Sequence, residues 1–190
     1  MVSPAWKSWF SPKQIAVILL LLLGLAWLLS YRISEFKGDG TISDAGLGSN
    51  PRYVVKFDQI PLHQASTHQF HLQGLPFSEM SFRMNILGKS DQDWKALTKL
   101  KTKIAVSLDD NRGHVLCSCV GVPTNSELDR NNWILTINDH QASYYHFSCL
   151  GIQLSRFKTY TLKISLTDVD PNSPEAYLVP ELLDGGDEWL

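Results

Sequence analysis

Three cysteines and six histidines are the residues of this chain best suited to chemistry. Cys117 and Cys119 form a C-x-C pair, and side chains two apart on a strand project to one face. Cys149 lies on a second apolar segment. In an oxidising compartment either Cys117 or Cys119 could bridge to Cys149, leaving one thiol over. In a reducing compartment all three read as small buried hydrophobes. The runs His114-x2-Cys117-x-Cys119 and His146-x2-Cys149 hold five soft ligands, a set that copper or zinc accepts. Parity argues against that site, because residues three apart on a strand point to opposite faces. The expectation is no metal centre. His63, His68, His71 and His140 fall in loops or at edges, where they are solvated.

Other chemistries leave no signature. There is no G-x-S-x-G, no H-E-x-x-H and no phosphate-binding glycine loop. Asp168-x-Asp170 before Pro171 is ordinary turn chemistry rather than a calcium loop. Trp94, Trp133, Tyr144 and Tyr145 could stack on a sugar, but aromatics on alternating strands usually face a core. The chain is expected to be no enzyme and to need no cofactor. A carbohydrate- or metal-binding module is the alternative.

The elements that would carry these residues have a period of two. Met80, Phe82, Met84 and Ile86 alternate with polar neighbours, as do Ile104, Val106 and Leu108, and Tyr160, Leu162, Ile164 and Leu166. Shorter strands are expected at Tyr53–Phe57, Gln69–Gln73, Val115–Val120, Trp133–Ile137, Tyr144–Leu150 and Ala176–Val179. Asp109-Asp110-Asn111-Arg112-Gly113 is a turn between two of them. Trp94, Leu97 and Leu100, spaced by three after Ser90 and Asp91, predict one short helix crossing between sheets. The sum is an all-β, antiparallel two-sheet sandwich over residues 52–180. A weak internal repeat fits it. Phe70-x3-Gly74-Leu75-x-Phe77-Ser78-x-Met80 matches Phe147-x3-Gly151-Ile152-x-Leu154-Ser155-x-Phe157. With one residue of slip, Phe82, Met84 and Ile86 then align with Tyr160, Leu162 and Ile164. Two such corner units could be related by a pseudo-twofold.

Before the sandwich comes QIAVILLLLLGLAWLLSY, Gln14–Tyr31. It holds no charge and as a helix spans about 27 Å, close to the roughly 30 Å of a bilayer core. Trp6, Trp9 and Phe10 precede it, and Trp27 and Tyr31 lie near its end, where interfacial aromatics sit. It reads as a single transmembrane helix in contact with the lipid bilayer. Poor small-residue sites at Ser30-Tyr31-Arg32 argue against a cleaved signal. Lys7, Lys13 and the amino terminus outweigh the charges just after the run, so residues 1–13 are expected to be cytoplasmic and the rest exported. Residues 32–51, rich in glycine, read as a flexible tether. Residues 181–190 read as a frayed acidic tail.

Charge bounds the partners. Removing the four bases and one acid of residues 1–37 from totals of 17 and 19 leaves 13 basic and 18 acidic residues, a net of −5. That excludes the basic face a nucleic-acid partner needs. It also disfavours a domain lying flat on anionic lipid.

The F-x-L-x-G-L pattern at Phe70, the strand SFRMNIL and the later YTLKISLTDVDP resemble small bacterial envelope β-sandwich proteins of uncharacterised function with an N-terminal anchor. The resemblance implies one domain behind a signal or single anchor. With the anchor and the edges and loops of a sandwich, the expectation is an inner-membrane, single-pass protein whose extracytoplasmic domain binds another protein, in an envelope, immunity or secretion-accessory role. The resemblance implies no catalytic residues.

Overall fold

A computed structural model describes residues 11–29, 32–46, 48–49, 51–76, 78–88, 101–122, 133–138, 141–146, 149, 151–169 and 175–184. Two compact units result, one ending at Arg32 and one starting at Ile33.

The first unit holds one helix, α1, Pro12–Leu29. Its start is fixed by local chemistry. Ser11 Oγ accepts the Gln14 backbone N–H at 3.3 Å, and Gln14 Oε1 accepts the Ser11 N–H at 2.8 Å. That reciprocal pair is a capping box, with Pro12 at the first helical position. The polar turn Pro12-Lys13-Gln14 is therefore spent inside the helix, leaving Ile15–Leu29 as its apolar part. Fifteen residues rise about 22 Å, short of a roughly 30 Å hydrocarbon core. Among the described residues no helix is long and apolar enough to cross a membrane. The transmembrane span expected over Gln14–Tyr31 is thus not found as such; Ser30 and Tyr31 lie outside the described residues. The apolar side chains of α1 from Ile15 to Trp27 are exposed.

The second unit is mostly antiparallel β-structure in two sheets, as the period-two patterning predicts. Its strands are β1 Lys37–Gly38, β2 Thr41–Asp44, β3 Tyr53–Lys56, β4 Ile60–Pro61, β5 Ser66–Gln73, β6 Glu79–Gly88, β7 Lys103–Asp110, β8 Val115–Gly121, β9 Trp133–Asn138, β10 Gln141–His146, β11 Ile152–Gln153, β12 Thr159–Thr167 and β13 Ala176–Asp184. The smaller sheet runs β1-β5-β12-β7-β8. The larger runs β2-β3-β13-β6-β10-β9, with β4 added to β13 and β11 to β6. Between them lies one core. Leu72, Ile104, Val106, Leu162 and Ile164 come from the small sheet, and Val55, Phe82, Met84, Ile86, Leu178 and Leu182 from the large one.

The internal repeat maps onto two corners. The first copy runs from β5 in the small sheet to β6 in the large, and the second, from just after β10, passes through β11 in the large sheet to β12 in the small; Phe77 and Phe147 lie outside the described residues. β5 pairs with β12, and β6 pairs with β10. A twofold that exchanges the sheets would produce this arrangement. Gly74 and Gly151 turn the two corners with φ of 71° and 64°, a left-handed backbone that favours glycine. Each matched residue of the slipped set, from Phe82 and Tyr160 to Ile86 and Ile164, is buried.

Three boundaries differ from the sequence expectation. The presumed tether, 32–51, contributes a 3-10 turn at Ile33–Glu35 and strands β1 and β2. β1 pairs Lys37 with Gln73, and β2 pairs Ile42 with Val55. Glycine content concealed these strands because each is only two to four residues long. The expected acidic tail begins inside β13, where Leu182 and Leu183 are buried. The short strand expected at Ala176–Val179 is thus nine residues long and central in its sheet. Pro180 is tolerated there because its carbonyl accepts from Phe57 N at 3.1 Å, between β3 and β4. A residue's N and C=O point the same way, so the missing N–H faces that gap in the partner strands. The expected helix around Trp94, Leu97 and Leu100 lies outside the described residues.

Candidate functional site

β8 concentrates the features that sequence reasoning singled out. It is hydrogen-bonded to β7 on one side and, among the described residues, is the edge of the small sheet. Alternation turns Cys117 and Cys119 into the core and Leu116, Ser118 and Val120 outward. Cys117 is disulfide-bonded to Cys149, with Cα atoms 5.2 Å apart. Cys149 lies between β10 and β11, both paired with β6, so the bond ties the edge of the small sheet to a connection within the large one. Cys119 is a free thiol, buried among core side chains. Burial pushes its pKa up to about 12, against a weaker opposing hydrogen bond to Val106. A thiol so desolvated is no nucleophile at neutral pH.

The turn that delivers the chain into β8 is built by one side chain. Asp110 Oδ1 accepts the N–H groups of Arg112 and His114 at 2.8 and 3.0 Å. Gly113 N donates to Asp110 O at 2.9 Å, and Gly113 has φ of 79°. The N–H bond from His114, with a further one from Arg112, holds the Asp110 carboxyl below its ordinary range against burial. His114 Nδ1 stands 3.3 Å from Asp110 Oδ2, while its ring is largely exposed. Its role is in the turn. The ring points to solvent, whereas Cys117 and Cys119 face the core.

The exposed side of β8 is apolar and uncharged. Val115, Leu116 and Val120 are 60%, 37% and 53% exposed. Beside them Ala105, Ser107, Ser118, Val120, Lys163 and Ser165 line a shallow open depression. Lys163 Nζ is paired with Asp109 Oδ2 at 2.8 Å, so this depression is nearly neutral. It offers hydroxyls and small apolar groups and no nucleophile–base pair.

A second polar cluster was not anticipated. Glu181 on β13 is 1% exposed. In register beside it stand Lys56 on β3 and Arg83 on β6. Arg83 Nε donates to Glu181 Oε2 at 2.9 Å and its Nη2 reaches the same oxygen. Lys56 Nζ lies 3.4 Å from Oε1. The carboxylate is held by two cations across three strands. Its sequence context, an acidic C-terminal run, hid it.

Among the described residues no group of three His, Cys, Asp or Glu side chains converges on a point that could hold a metal ion. His63, His68 and His71 lie around β5. His68 Nε2 contacts Ser66 Oγ at 3.1 Å, and His71 Nδ1 is 4.0 Å from Asp39 Oδ2. Asp168 has φ of 50° at the end of β12, and Asp170 lies outside the described residues. So do His140 and Trp94, and the side chains of Trp133, Tyr144, Tyr145 and His146.

No protein-family model matches the chain. No curated protein matches it. Among solved structures, the P-domain of Macrobrachium rosenbergii nodavirus is similar over 82% of this chain and 97% of its own, at 13% identity and a TM-score of 0.21.

Proposed function

We propose that this chain is a membrane-anchored, non-catalytic binding protein of the bacterial envelope, and that β8 receives an extended segment of another protein as an added strand. One observation carries the reading. Among the described residues β8 is an edge strand, with exposed Val115, Leu116 and Val120 and no charged side chain from Val115 to Gly121. Natural edge strands are usually protected by charge, proline or a bulge. β8 has neither charge nor proline, and its one irregularity, at Leu116 opposite Leu108 and Asp109, leaves Cys117–Gly121 in regular register with β7. Such an edge, cross-linked to the opposite sheet, is pre-organised for strand addition, where backbone bonds give affinity and outward side chains give selectivity.

The anchor is part of the proposal. From Ile15 to Trp27 the apolar side chains of α1 are exposed on all sides, and such a helix belongs in lipid or in a protein core. Its shortness is met by local thinning of the bilayer and by Lys13 reaching the headgroups. The Cys117–Cys149 bond supports an extracytoplasmic domain, because disulfides persist in oxidising compartments. The domain thus faces the periplasm from the inner membrane.

A photo-cross-linking residue placed at Leu116 or Val120 in the full-length protein in membranes tests the binding edge. A discrete adduct from both positions, absent from Gln69 on β5, is expected, and the adduct from Val120 should be lost when Leu116→Lys is added. Equal cross-linking from Gln69, or none from β8, sinks the reading. Alkaline extraction tests the anchor, and release of the protein from the membrane would overturn it.

A further inference from the structure

Among the described residues of the β-unit, Phe157 is the most exposed large apolar side chain, at 70%. Its place in the internal repeat makes this notable. The matched residue of the first copy, Met80, is fully buried. The second corner has therefore turned outward a side chain that the first corner keeps in the core.

The turn that presents it is well held. Ser155 N donates to the hydroxyl of buried Tyr160 at 2.7 Å. Lys158 N donates to Ser155 O at 3.2 Å, and Phe157 N to Ser155 Oγ at 3.3 Å. Arg156 turns the other way. Its side chain is 9% exposed and stands 3.8 Å from Glu35 Oε2. Glu35 closes the 3-10 turn Ile33–Glu35, whose Ile33 is exposed. The Phe157 turn thus packs beside the first residues of the β-unit. Only residues 30–32 separate those residues from Leu29 at the end of α1. At most about 15 Å of extended chain joins Leu29 to Ile33. Leu29 and Ile33 cannot part by more than that length.

We propose that the Arg156-Phe157-Lys158 turn is a second membrane contact, with Phe157 entering the boundary between headgroups and acyl chains and Lys158 among the phosphates. The inference rests on the anchor reading above. Aromatic side chains favour that boundary, and lysine stems lie along apolar surface with the ammonium in water. The domain's net negative charge is no obstacle, because one turn touches the bilayer rather than a broad face.

The test uses the full-length protein in phosphatidylcholine vesicles, with an environment-sensitive fluorophore on Phe157→Cys. Cys119 is buried and the other two cysteines are bonded, so the new thiol is the one labelled. A Gln69→Cys label serves as the control far along β5. The expected result is a blue-shifted probe at 157, quenched by lipids spin-labelled near the headgroup and several-fold less open to iodide than the probe at 69. Equal iodide access at both sites, with the protein still resisting alkaline extraction, overturns this inference and leaves the anchor standing. Shielding at 157 without lipid quenching assigns the turn to a second copy and also overturns it. Loss of the protein on alkaline extraction removes the anchor reading and this one together.

Discussion

Cys117 and Cys149 join the edge of one sheet to a connection between two strands of the other, at a sequence separation of 32. Closing a loop of that length removes enough denatured-state entropy to stabilise the fold by about 3–4 kcal/mol. A Cys149→Ala variant, or the native protein under reductant, should lose an amount of that order in chemical denaturation. Cys119→Ala should keep the disulfide and respond to reductant as the native protein does. Thiol counting is the companion measurement: one thiol, unreactive until the protein is unfolded. A native thiol that labels readily would contradict the burial of Cys119 and its raised pKa.

The corner glycines separate two kinds of glycine requirement. At Gly74 the backbone is left-handed, and an added Cβ would overlap the Glu35 carbonyl. At Gly113 the backbone is also left-handed, but nothing lies within 4 Å of the added atom. Gly113→Ala should therefore cost only the conformational term, about 1–2 kcal/mol. Gly74→Ala adds a packing conflict and should cost about 2–5 kcal/mol. Gly113→Asn should recover much of its loss, since asparagine tolerates that backbone, and Gly74→Asn should not. Equal thermal shifts for the two alanine variants would refute the close approach of Glu35.

These positions also show what was legible in the sequence. Phe82, Met84 and Ile86, or Leu162, Ile164 and Leu166, announce their strands because one face is buried and the other is not, so the period survives in composition. The corners were legible too, since a glycine between two such strands is a physical necessity. Lys37–Gly38 and Thr41–Asp44 were not, because two to four residues cannot express a period. Glu181 was hidden for a different reason. A buried acid beside Arg83 and Lys56 looks in sequence like any solvated acid, and only the register of β3, β13 and β6 reveals its partners. The anchor run was overread at its edges. Composition marks Gln14–Tyr31 as apolar, but the capping box spends Gln14 inside a polar first turn. At the candidate site, the shared face of Cys117 and Cys119 followed from parity, whereas which of them meets Cys149 did not.

Glu181 makes a graded prediction. Its carboxylate is buried, Arg83 is mostly buried, and Lys56 is largely exposed. Removing the acid takes away the carboxylate that accepts from Arg83 Nε, and breaking a buried pair costs about 3–5 kcal/mol. Glu181→Ala should show a loss of that size in urea unfolding. Lys56→Ala, at the exposed end, should cost no more than about 1 kcal/mol. A double replacement of Arg83 and Glu181 by leucine should recover part of the single-mutant loss, because two apolar groups leave no unpaired charge. A Lys56→Ala loss as large as that of Glu181→Ala would mean that the exposed lysine, rather than Arg83, carries the cluster.

Asp110 gives the fold an acid-sensitive point at the entrance to β8. Hydrogen bonds from the His114 and Arg112 backbone, which outweigh burial, lower its folded pKa below the ordinary value of 3.8. Because the folded value is the depressed one, this contribution is fully present above pH 3.8. It is lost as the pH falls from there through the folded pKa. Asp110→Asn keeps an oxygen to accept from Arg112 and His114 but cannot titrate. The variant should therefore be somewhat less stable than the native protein at neutral pH, and the gap should narrow at successive steps below pH 3.8. Urea unfolding of both proteins across that range measures it. Protection of the His114 amide, taken relative to the intrinsic exchange rate at each pH, is the local check, and it should fall in acid in the native protein while staying level in Asp110→Asn. A stability gap that is constant from neutral pH into strong acid would mean that the charge of Asp110 has no part in holding the turn.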